Sequence, residues 1–270
     1  MAVKILNGRE LAGFIKERQA GVVREMAAGG VVPKLVIIRD SDNPVIVKYV
    51  ELKKRYGEDI GVEVMDEKVA DIDAAKAAVE RANADASVAG VIVQLPLTDV
   101  SRTDEVVNLI APEKDVDGLS QTVADTARRF ESATATAIHW LLSGYDVQLA
   151  GSKIALVGRG RLVGAPLERM WKASGFDVTV FQRNSDLATL RNFDIIVSAT
   201  GVPHLITSAM VRGGAVVVDA GTASEDGVLV GDVDEAVRER QDLLAITPAS
   251  GGVGPLTVAV LFEHVINAAS

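Results

Sequence analysis

The sequence predicts an α/β protein with two domains, of which the second is built on a doubly wound parallel sheet. Short apolar runs rich in β-branched residues alternate with longer helical segments along the 270 residues, a pattern typical of helices packed on parallel strands. Hydrophobic residues make up 48% of the chain and aromatic residues only 4%, so Val, Ala, Leu and Ile must fill the space between helices and sheets. A chain of this length suits two domains better than one small core.

The first domain is expected over residues 1–133 as a βαβα unit. Asn7 is a suitable N-cap for the first helix, and Asn43 followed by Pro44 suits the start of the second. The predicted strands lie at 35–38, 62–65 and 89–95, and the predicted helices at 8–28, 44–59, 103–110 and from Asp71 or Asp73 to Ala84. Residues 114–130 are interpreted as a loop between the domains.

The second domain is expected over residues 134–254, where strands and short helices alternate again. Its strands are placed at 154–157, 177–181, 194–199, 215–219 and 243–246, with helices at 134–143 and 162–171 among the connections. A final helix within 255–270 is expected to pack back on the first domain and to join it.

Charge and composition argue against several classes of function. The net formal charge of −9 disfavours general binding to nucleic acid or to an anionic membrane. The absence of cysteine excludes disulfides, thiolate nucleophiles and cysteine metal sites. The three histidines show no metal-ligand or triad spacing, so no metal is expected. Neither a signal-peptide pattern nor an apolar run of membrane-spanning length is found, and a cytoplasmic location is the expectation.

A glycine loop follows the predicted strand 154–157. Gly158, Gly160 and Gly164 have the spacing G-x-G-x-x-x-G ahead of a helix. A strand, a glycine turn and a helix N-terminus form an anion site, because free backbone N–H groups and the helix dipole both face the ligand. The pattern therefore predicts a Rossmann-like dinucleotide site, with an ordinary glycine turn as the alternative.

The cofactor is predicted to be NADP. The acid that usually binds the ribose of NAD, about 20 residues past the glycines, is missing before Asp186. Arg183 stands there instead and suits a 2′-phosphate, with Arg159 or Arg161 in support; the alternative is an exposed surface arginine. Two later strand ends carry small residues and glycines and are expected to line the same crevice, unless they are ordinary turns. The expected cofactor-binding residues are Gly158, Arg159, Gly160, Gly164, Arg183, Thr200, Gly201, Asp219 and Gly221.

Three segments of the first domain, and also the last loop, could carry chemistry. Ile46, Tyr49, Val50 and Lys53 share one helix face, so Lys53 is either a lysine of lowered pKa suited to acid–base work or one whose stem lies along apolar surface. Gln94 lies near the end of a predicted strand and could reach into a ligand crevice or be a satisfied polar group at a strand end. Asp115 and Asp117 stand ahead of a glycine and could face a polar ligand or form a solvated turn. The Gly- and Pro-rich loop 247–257 is expected to be a shaped ligand loop.

Taken in order, these motifs resemble the bifunctional methylenetetrahydrofolate dehydrogenase/methenyltetrahydrofolate cyclohydrolase family over nearly the whole chain. The segments that carry the resemblance are 43–53, 93–97, 114–118, 158–166, 231–233 and 251–257. The resemblance implies oxidation of 5,10-methylenetetrahydrofolate with NADP, or less often NAD, and hydrolysis of the product to 10-formyltetrahydrofolate. It further implies one cleft between the two domains for both steps, and usually a homodimer.

The resemblance also implies roles for single residues. Lys53 would be the general acid/base of the hydrolysis, Tyr49 would stack on the folate, Gln94 would orient Lys53, and Asp117 would bind the pterin. The residues implied in folate binding are Tyr49, Gln94, Leu95, Asp117, Pro248, Gly251 and Gly252.

This chain departs from the family at several positions. The family usually has Ser in place of Ile46 and of Gly160, and Val-Pro in place of Ala249-Ser250. Two alternatives are therefore kept: a dehydrogenase of the same fold for another small substrate, and a non-catalytic protein that binds folate or NADP.

Overall fold

A computed structural model describes residues 2–225 and 228–270, which divide into two compact units. One unit combines the residues up to Ala12 with Thr134–Thr257, and the other combines Gly13–Ala133 with Val258–Ser270. Among the described residues, no helix is long and apolar enough to cross a membrane. The two units are described separately.

The helices and strands alternate along most of the chain. The helices are α1 Gly8–Ala28, α2 Pro44–Ile60, α3 Ile72–Ala84, α4 Thr103–Val107, α5 Ala133–Gly144, α6 Gly164–Ala173, α7 Glu235–Arg238 and α8 Val253–Ala269. The strands are β1 Lys4–Ile5, β2 Lys34–Arg39, β3 Glu63–Lys68, β4 Gly90–Val93, β5 Lys153–Val157, β6 Asp177–Phe181, β7 Ile195–Ser198, β8 Val216–Asp219, β9 Ala223–Glu225, β10 Val228–Val230 and β11 Ala245–Ile246. The predicted α/β class is confirmed.

The unit that contains α2 is built on a three-stranded parallel sheet in the order β3-β2-β4. Helix α2 begins as predicted, because the Asn43 side chain accepts a hydrogen bond of 2.9 Å from the Val45 N–H. Pro44 has no backbone N–H, and the first helical position has no acceptor for one. It ends at Gly61, whose φ of 88° is left-handed. Apolar side chains of α3, α4 and the sheet, such as Val79, Val106 and Ile38, form the core.

The C-terminal half of α8 completes this unit. Phe262 is fully buried, and its ring stacks on Tyr56 of α2 with the centroids 5.0 Å apart. The buried Gln19 of α1 donates a hydrogen bond of 2.8 Å to the Ala259 carbonyl. Residues Val258–Ser270 thus belong to the same compact unit as Gly13–Ala133.

The other unit is built on a six-stranded parallel sheet in the order β1-β11-β8-β7-β5-β6. The chain runs from β5 outward to β6 and then returns to the opposite side of β5 with β7, so the strand order reverses between β5 and β7. Ligands of such sheets bind at the carboxyl ends of the strands beside this reversal. Gly158 directly follows β5, and Ala199 follows β7.

The structure differs from the sequence prediction at several element bounds and in the following features. Strand β1 pairs with β11, so the residues up to Ala12 belong to the six-stranded unit rather than to a domain over 1–133. Helix α6 begins at Gly164 and not at residue 162, because the chain makes a turn at 161–163 before its first helical hydrogen bonds. The antiparallel pair β9 and β10 was not predicted. Elements of two or three residues are too short to show a period.

Candidate functional site

Lys53 and Gln94 meet in the three-stranded unit. The Lys53 Nζ donates a hydrogen bond of 2.7 Å to the Gln94 Oε1. Gln94 follows β4 directly, and its backbone N–H donates to the Ile38 carbonyl of β2 at 2.8 Å. Its side-chain Nε2 donates to the Leu95 carbonyl at 3.2 Å, which leaves Oε1 as the atom that faces the lysine. The sheet edge therefore fixes the acceptor for Lys53.

Asp117 is the second charged group of this site. The backbone at 114–116 runs beside β4, where the Val91 N–H donates to the Lys114 carbonyl at 2.9 Å. The neighbouring Asp115 carboxylate is buried and accepts the N–H groups of Leu119 at 3.2 Å and Ser120 at 2.9 Å. No described residue donates a hydrogen bond to the Asp117 carboxylate. Of the two acids that the sequence singled out, Asp115 holds the loop through backbone N–H groups, whereas the Asp117 carboxylate accepts no hydrogen bond from a described residue.

Burial moves the pKa of Lys53 and that of Asp117 toward each other. Removal from water lowers the pKa of Lys53 below its usual value, and the nearby Asp117 opposes that change. Burial also raises the pKa of Asp117 to about 6; the Lys53 charge lowers it and the Asp115 charge raises it. Both groups therefore exchange protons closer to neutral pH than free side chains do, which is the condition for acid–base catalysis.

Tyr49 and Ile46 lie on the same face of α2 as Lys53. Tyr49 is one turn before the lysine and half-buried, and burial raises the pKa of its phenol, so the ring is neutral at physiological pH. Ile46 is 5% exposed and belongs to the core. Leu95, half-buried, packs against the core of the unit. The structure thus brings Lys53, Gln94 and Asp117 together, with Tyr49 one helical turn away.

In the glycine loop of the six-stranded unit, a side chain would clash at Gly158 and at Gly164 but not at Gly160. Gly158 has a φ of 97°, and a Cβ there would lie 2.5 Å from the Ala199 oxygen. A Cβ on Gly164 would lie 2.2 Å from the Gly158 oxygen. A Cβ on Gly160 would meet no atom within 4 Å. The first two glycines let the loop pack tightly on the sheet and helix, whereas Gly160 borders open space.

The two arginines predicted to bind the cofactor differ in their partners. Arg159 donates from Nε to the Glu168 carboxylate of α6 at 2.6 Å. Arg183 lies two residues beyond β6, is exposed, and makes no hydrogen bond or ion pair with a described residue. Burial lowers the pKa of the Arg161 guanidinium. Of Arg159 and Arg183, it is therefore Arg183 that can take a phosphate without giving up an ion pair.

The strand ends at β7 and β8 carry a buried network that the sequence did not predict. The fully buried Asp232 accepts hydrogen bonds on Oδ2 from the Ser198 hydroxyl at 2.7 Å and from Thr200, at 2.7 Å to its N–H and 2.9 Å to its hydroxyl. Asp219 accepts the N–H groups of Gly221, Asp232 and Val233, each at 3.0 Å, and an ion pair of 2.5 Å from Arg238.

The Asp219 carboxylate is thus occupied within the protein, which does not support a side-chain contact to the cofactor. Asp232 stands in the Gly231-Asp232-Val233 motif, which was the one sequence signal for the network. Thr200, Gly201 and Gly221 remain candidates, but the N–H groups of Thr200 and Gly221 are used in this network, which leaves their carbonyl oxygens. Gly201 has a φ of 69°, and a Cβ on Gly221 would lie 1.9 Å from Asp232 Oδ1.

The loop that holds Pro248, Gly251 and Gly252 packs on the start of α1 in the same unit. The Gly251 carbonyl accepts the Arg9 N–H at 3.0 Å. A Cβ on Gly8 would lie 1.9 Å from the Gly252 oxygen. The loop is a fixed element, as its composition predicted; its contact with a folate stays a prediction.

Comparisons with known proteins cover both units. The family model described as tetrahydrofolate dehydrogenase/cyclohydrolase, NAD(P)-binding domain, matches residues 132–270. The model described as tetrahydrofolate dehydrogenase/cyclohydrolase, catalytic domain, matches residues 6–117. The bifunctional protein FolD of Lactobacillus acidophilus is 38% identical over 277 residues, which cover 98% of this chain and 96% of that protein.

Two solved structures agree with these matches. The bifunctional FolD methylenetetrahydrofolate dehydrogenase/cyclohydrolase of Campylobacter jejuni has a TM-score of 0.92 and 32% identity, with 99% of each chain covered. The methylenetetrahydrofolate dehydrogenase-cyclohydrolase of Trypanosoma brucei, solved with NADP and an inhibitor, has a TM-score of 0.91 and 28% identity over 100% of this chain and 98% of that one. The chain therefore belongs to the tetrahydrofolate dehydrogenase/cyclohydrolase family.

Proposed function

We propose that this protein oxidises 5,10-methylenetetrahydrofolate with NADP and hydrolyses the resulting 5,10-methenyl cation to 10-formyltetrahydrofolate. Family membership supports both activities. The observation that carries the hydrolytic activity is the hydrogen bond of 2.7 Å between Lys53 and Gln94, beside an Asp117 carboxylate that no described residue occupies. A homodimer, the usual state in the family, is part of the proposal and is tested by size-exclusion chromatography with light scattering.

Lys53 acts as the acid–base group of the hydrolysis. Water adds to the methenyl carbon of the cation and loses a proton to the neutral Lys53 amine. The bond from that carbon to N5 then breaks, N5 takes a proton, and the remaining hydroxyl proton leaves as the formyl C=O forms. The pKa of Lys53 is lowered by burial, which raises the fraction of neutral amine available for the first step.

Gln94, Asp117 and Tyr49 prepare this step. Gln94 holds the Lys53 amine in place through Oε1. Asp117 accepts hydrogen bonds from the pterin ring, since its carboxylate is not used by the described protein. The neutral Tyr49 ring supplies a flat apolar surface for stacking. The remaining folate contacts are proposed for Leu95, Pro248, Gly251 and Gly252.

NADP is held by the glycine loop and the adjoining strand ends. When bound, it accepts the hydride from the methylene carbon. Gly158 and Gly164 keep the loop close to the sheet, and the open space at Gly160 admits the pyrophosphate. Arg183 pairs with the 2′-phosphate, because it has no partner among the described residues. Further contacts are proposed for Arg159, for the backbone of Gly201 and for the carbonyl oxygens of Thr200 and Gly221.

One spectrophotometric experiment tests the proposal. The purified protein is given methylenetetrahydrofolate with NADP or NAD in parallel, and the methenyl product is followed by its absorbance. A separate sample of methenyltetrahydrofolate is followed for loss of that absorbance. Lys53→Met should abolish the second activity, with Lys48→Met, an exposed lysine on the same helix, as the control. Equal hydrolysis by the Lys53 variant and the parent would refute the assigned role.

A further inference from the structure

His264 on α8 is buried against the loop that carries Asp117. Its side chain is 8% exposed, and its Nδ1 lies 2.8 Å from the Val116 carbonyl oxygen. A carbonyl oxygen can only accept, so Nδ1 carries the proton and the imidazole is the donor. This residue plays no part in the proposed reaction and lies 148 positions from its partner.

The Val116 carbonyl and the Asp117 N–H belong to the same peptide plane. A donor that fixes this carbonyl therefore fixes the plane from which the Asp117 side chain projects. On the other side, the Val116 side chain is fully buried against β4, where a Cβ on Gly90 would lie 2.7 Å from its Cγ1. The peptide bond between Val116 and Asp117 is thus fixed on one side by the packing of the Val116 side chain on the sheet and on the other side by the hydrogen bond from His264 of α8.

The imidazole is itself held in one orientation. Its ring stacks on Phe130 with the centroids 4.9 Å apart and the planes 26° apart. Phe130 is 8% exposed, and the Arg129 guanidinium lies over its ring while donating to the Asn267 carbonyl at 2.7 Å. A stacked and buried ring has no freedom to turn Nδ1 away from the loop.

We propose that His264 is a positioning residue for Asp117, acting through the Val116 carbonyl on the binding of the folate. This inference rests on the proposed function, in which Asp117 binds the pterin. Loss of the donor frees the peptide plane and spreads the Asp117 carboxylate over several positions. In the dehydrogenase reaction, the KM for the folate should then rise, while kcat and the KM for NADP stay near their parent values.

Three substitutions separate positioning from packing. His264→Leu removes the donor and keeps apolar bulk. His264→Asn keeps a donor, because its amide nitrogen is bonded to Cγ as Nδ1 is. His264→Gln moves the donor one bond further out. We expect the folate KM to rise about three- to tenfold for the Leu and Gln variants, the worth of one hydrogen bond, and to be restored by Asn.

His139→Leu is the matched control, since that histidine is half-buried and accepts a hydrogen bond of 3.3 Å from Trp171 in the six-stranded unit. Amide hydrogen exchange of a peptide covering 115–119 reports how firmly this loop is held and does not depend on enzyme turnover. Exchange should become faster in the His264→Leu and His264→Gln variants and stay at the parent rate in His264→Asn and His139→Leu. An inactive parent protein would refute the proposed function. Unchanged exchange and an unchanged folate KM in an active protein, or equal damage by Asn and Leu, would overturn the role of His264.

Discussion

Gln94 offers the sharpest test of the acid–base pair, because two substitutions should move the pKa of Lys53 in opposite directions. Its Oε1 accepts a 2.7 Å hydrogen bond from the Lys53 ammonium, and this bond favours the charged form. Gln94→Leu removes the acceptor, so the pKa of Lys53 falls further below its usual value. Gln94→Glu places a negative charge there, so the pKa rises.

The size of the effect follows from the bond. A hydrogen bond to a charged group contributes about 1.5–3 kcal/mol, and about 1.4 kcal/mol corresponds to one pH unit in a titration. Hydrolysis requires neutral Lys53 and therefore increases with pH through the pKa of that amine. The ascending limb of the plot of hydrolysis rate against pH should move about one to two pH units toward lower pH for Gln94→Leu. For Gln94→Glu it should move toward higher pH.

The measurement is kcat/KM for loss of methenyl absorbance as a function of pH, which reports ionisations of the free enzyme. Gln148→Leu and Gln148→Glu serve as controls, because the Gln148 side chain is exposed and lies in the other unit. If the two Gln94 variants move the limb in the same direction, or if neither moves it, Lys53 is not the group that titrates and the proposed mechanism fails.

Further predictions concern the six-stranded unit. Arg183→Ala should raise the KM for NADP about ten- to hundredfold and leave that for NAD unchanged in steady-state assays; an equal change for both cofactors would contradict a 2′-phosphate contact. Gly164→Ala should lower the free energy of unfolding by at least about 1–3 kcal/mol, whereas Gly160→Ala should be nearly neutral, as measured by urea unfolding; equal stabilities would contradict the 2.2 Å approach. Arg238→Met leaves the buried Asp219 charge unpaired and should cost about 3–5 kcal/mol in the same assay, with partial recovery by Asp219→Asn; a cost below about 1 kcal/mol would show that the pair is not desolvated.

Local signals in the sequence were sufficient for most helix ends and strand cores. Asn43, Pro44 and Gly61 act on backbone groups within four residues, so the bounds of α2 could be predicted without knowledge of the fold. The face of α2 that carries Tyr49 and Lys53 follows from helical geometry alone. The hydrogen bond from Lys53 to Gln94 joins positions 41 apart, and their proximity came only from the family resemblance.

Interactions across longer separations could not be predicted in the same way. Asp219 at a strand end suggested a cofactor ligand, but Arg238 and the backbone at 232–233 occupy its carboxylate. Asp232 carried no role in the sequence prediction because its partners, Ser198 and Thr200, are more than 30 positions away. Which acid is buried and paired depends on how strands are ordered in the sheet, and periodicity does not report that order.

The three-stranded unit is discontinuous along the chain, and this affects the order in which the protein forms during synthesis. Residues Gly13–Ala133 are synthesised before Thr134–Thr257, whereas Phe262 and His264 of the same unit are synthesised after it. The six-stranded unit needs nothing beyond Thr257, so its core is available first. Lys53 and Gln94 are therefore synthesised well before His264, the residue proposed to position Asp117. An expressed fragment ending at Ala133 would lack that residue.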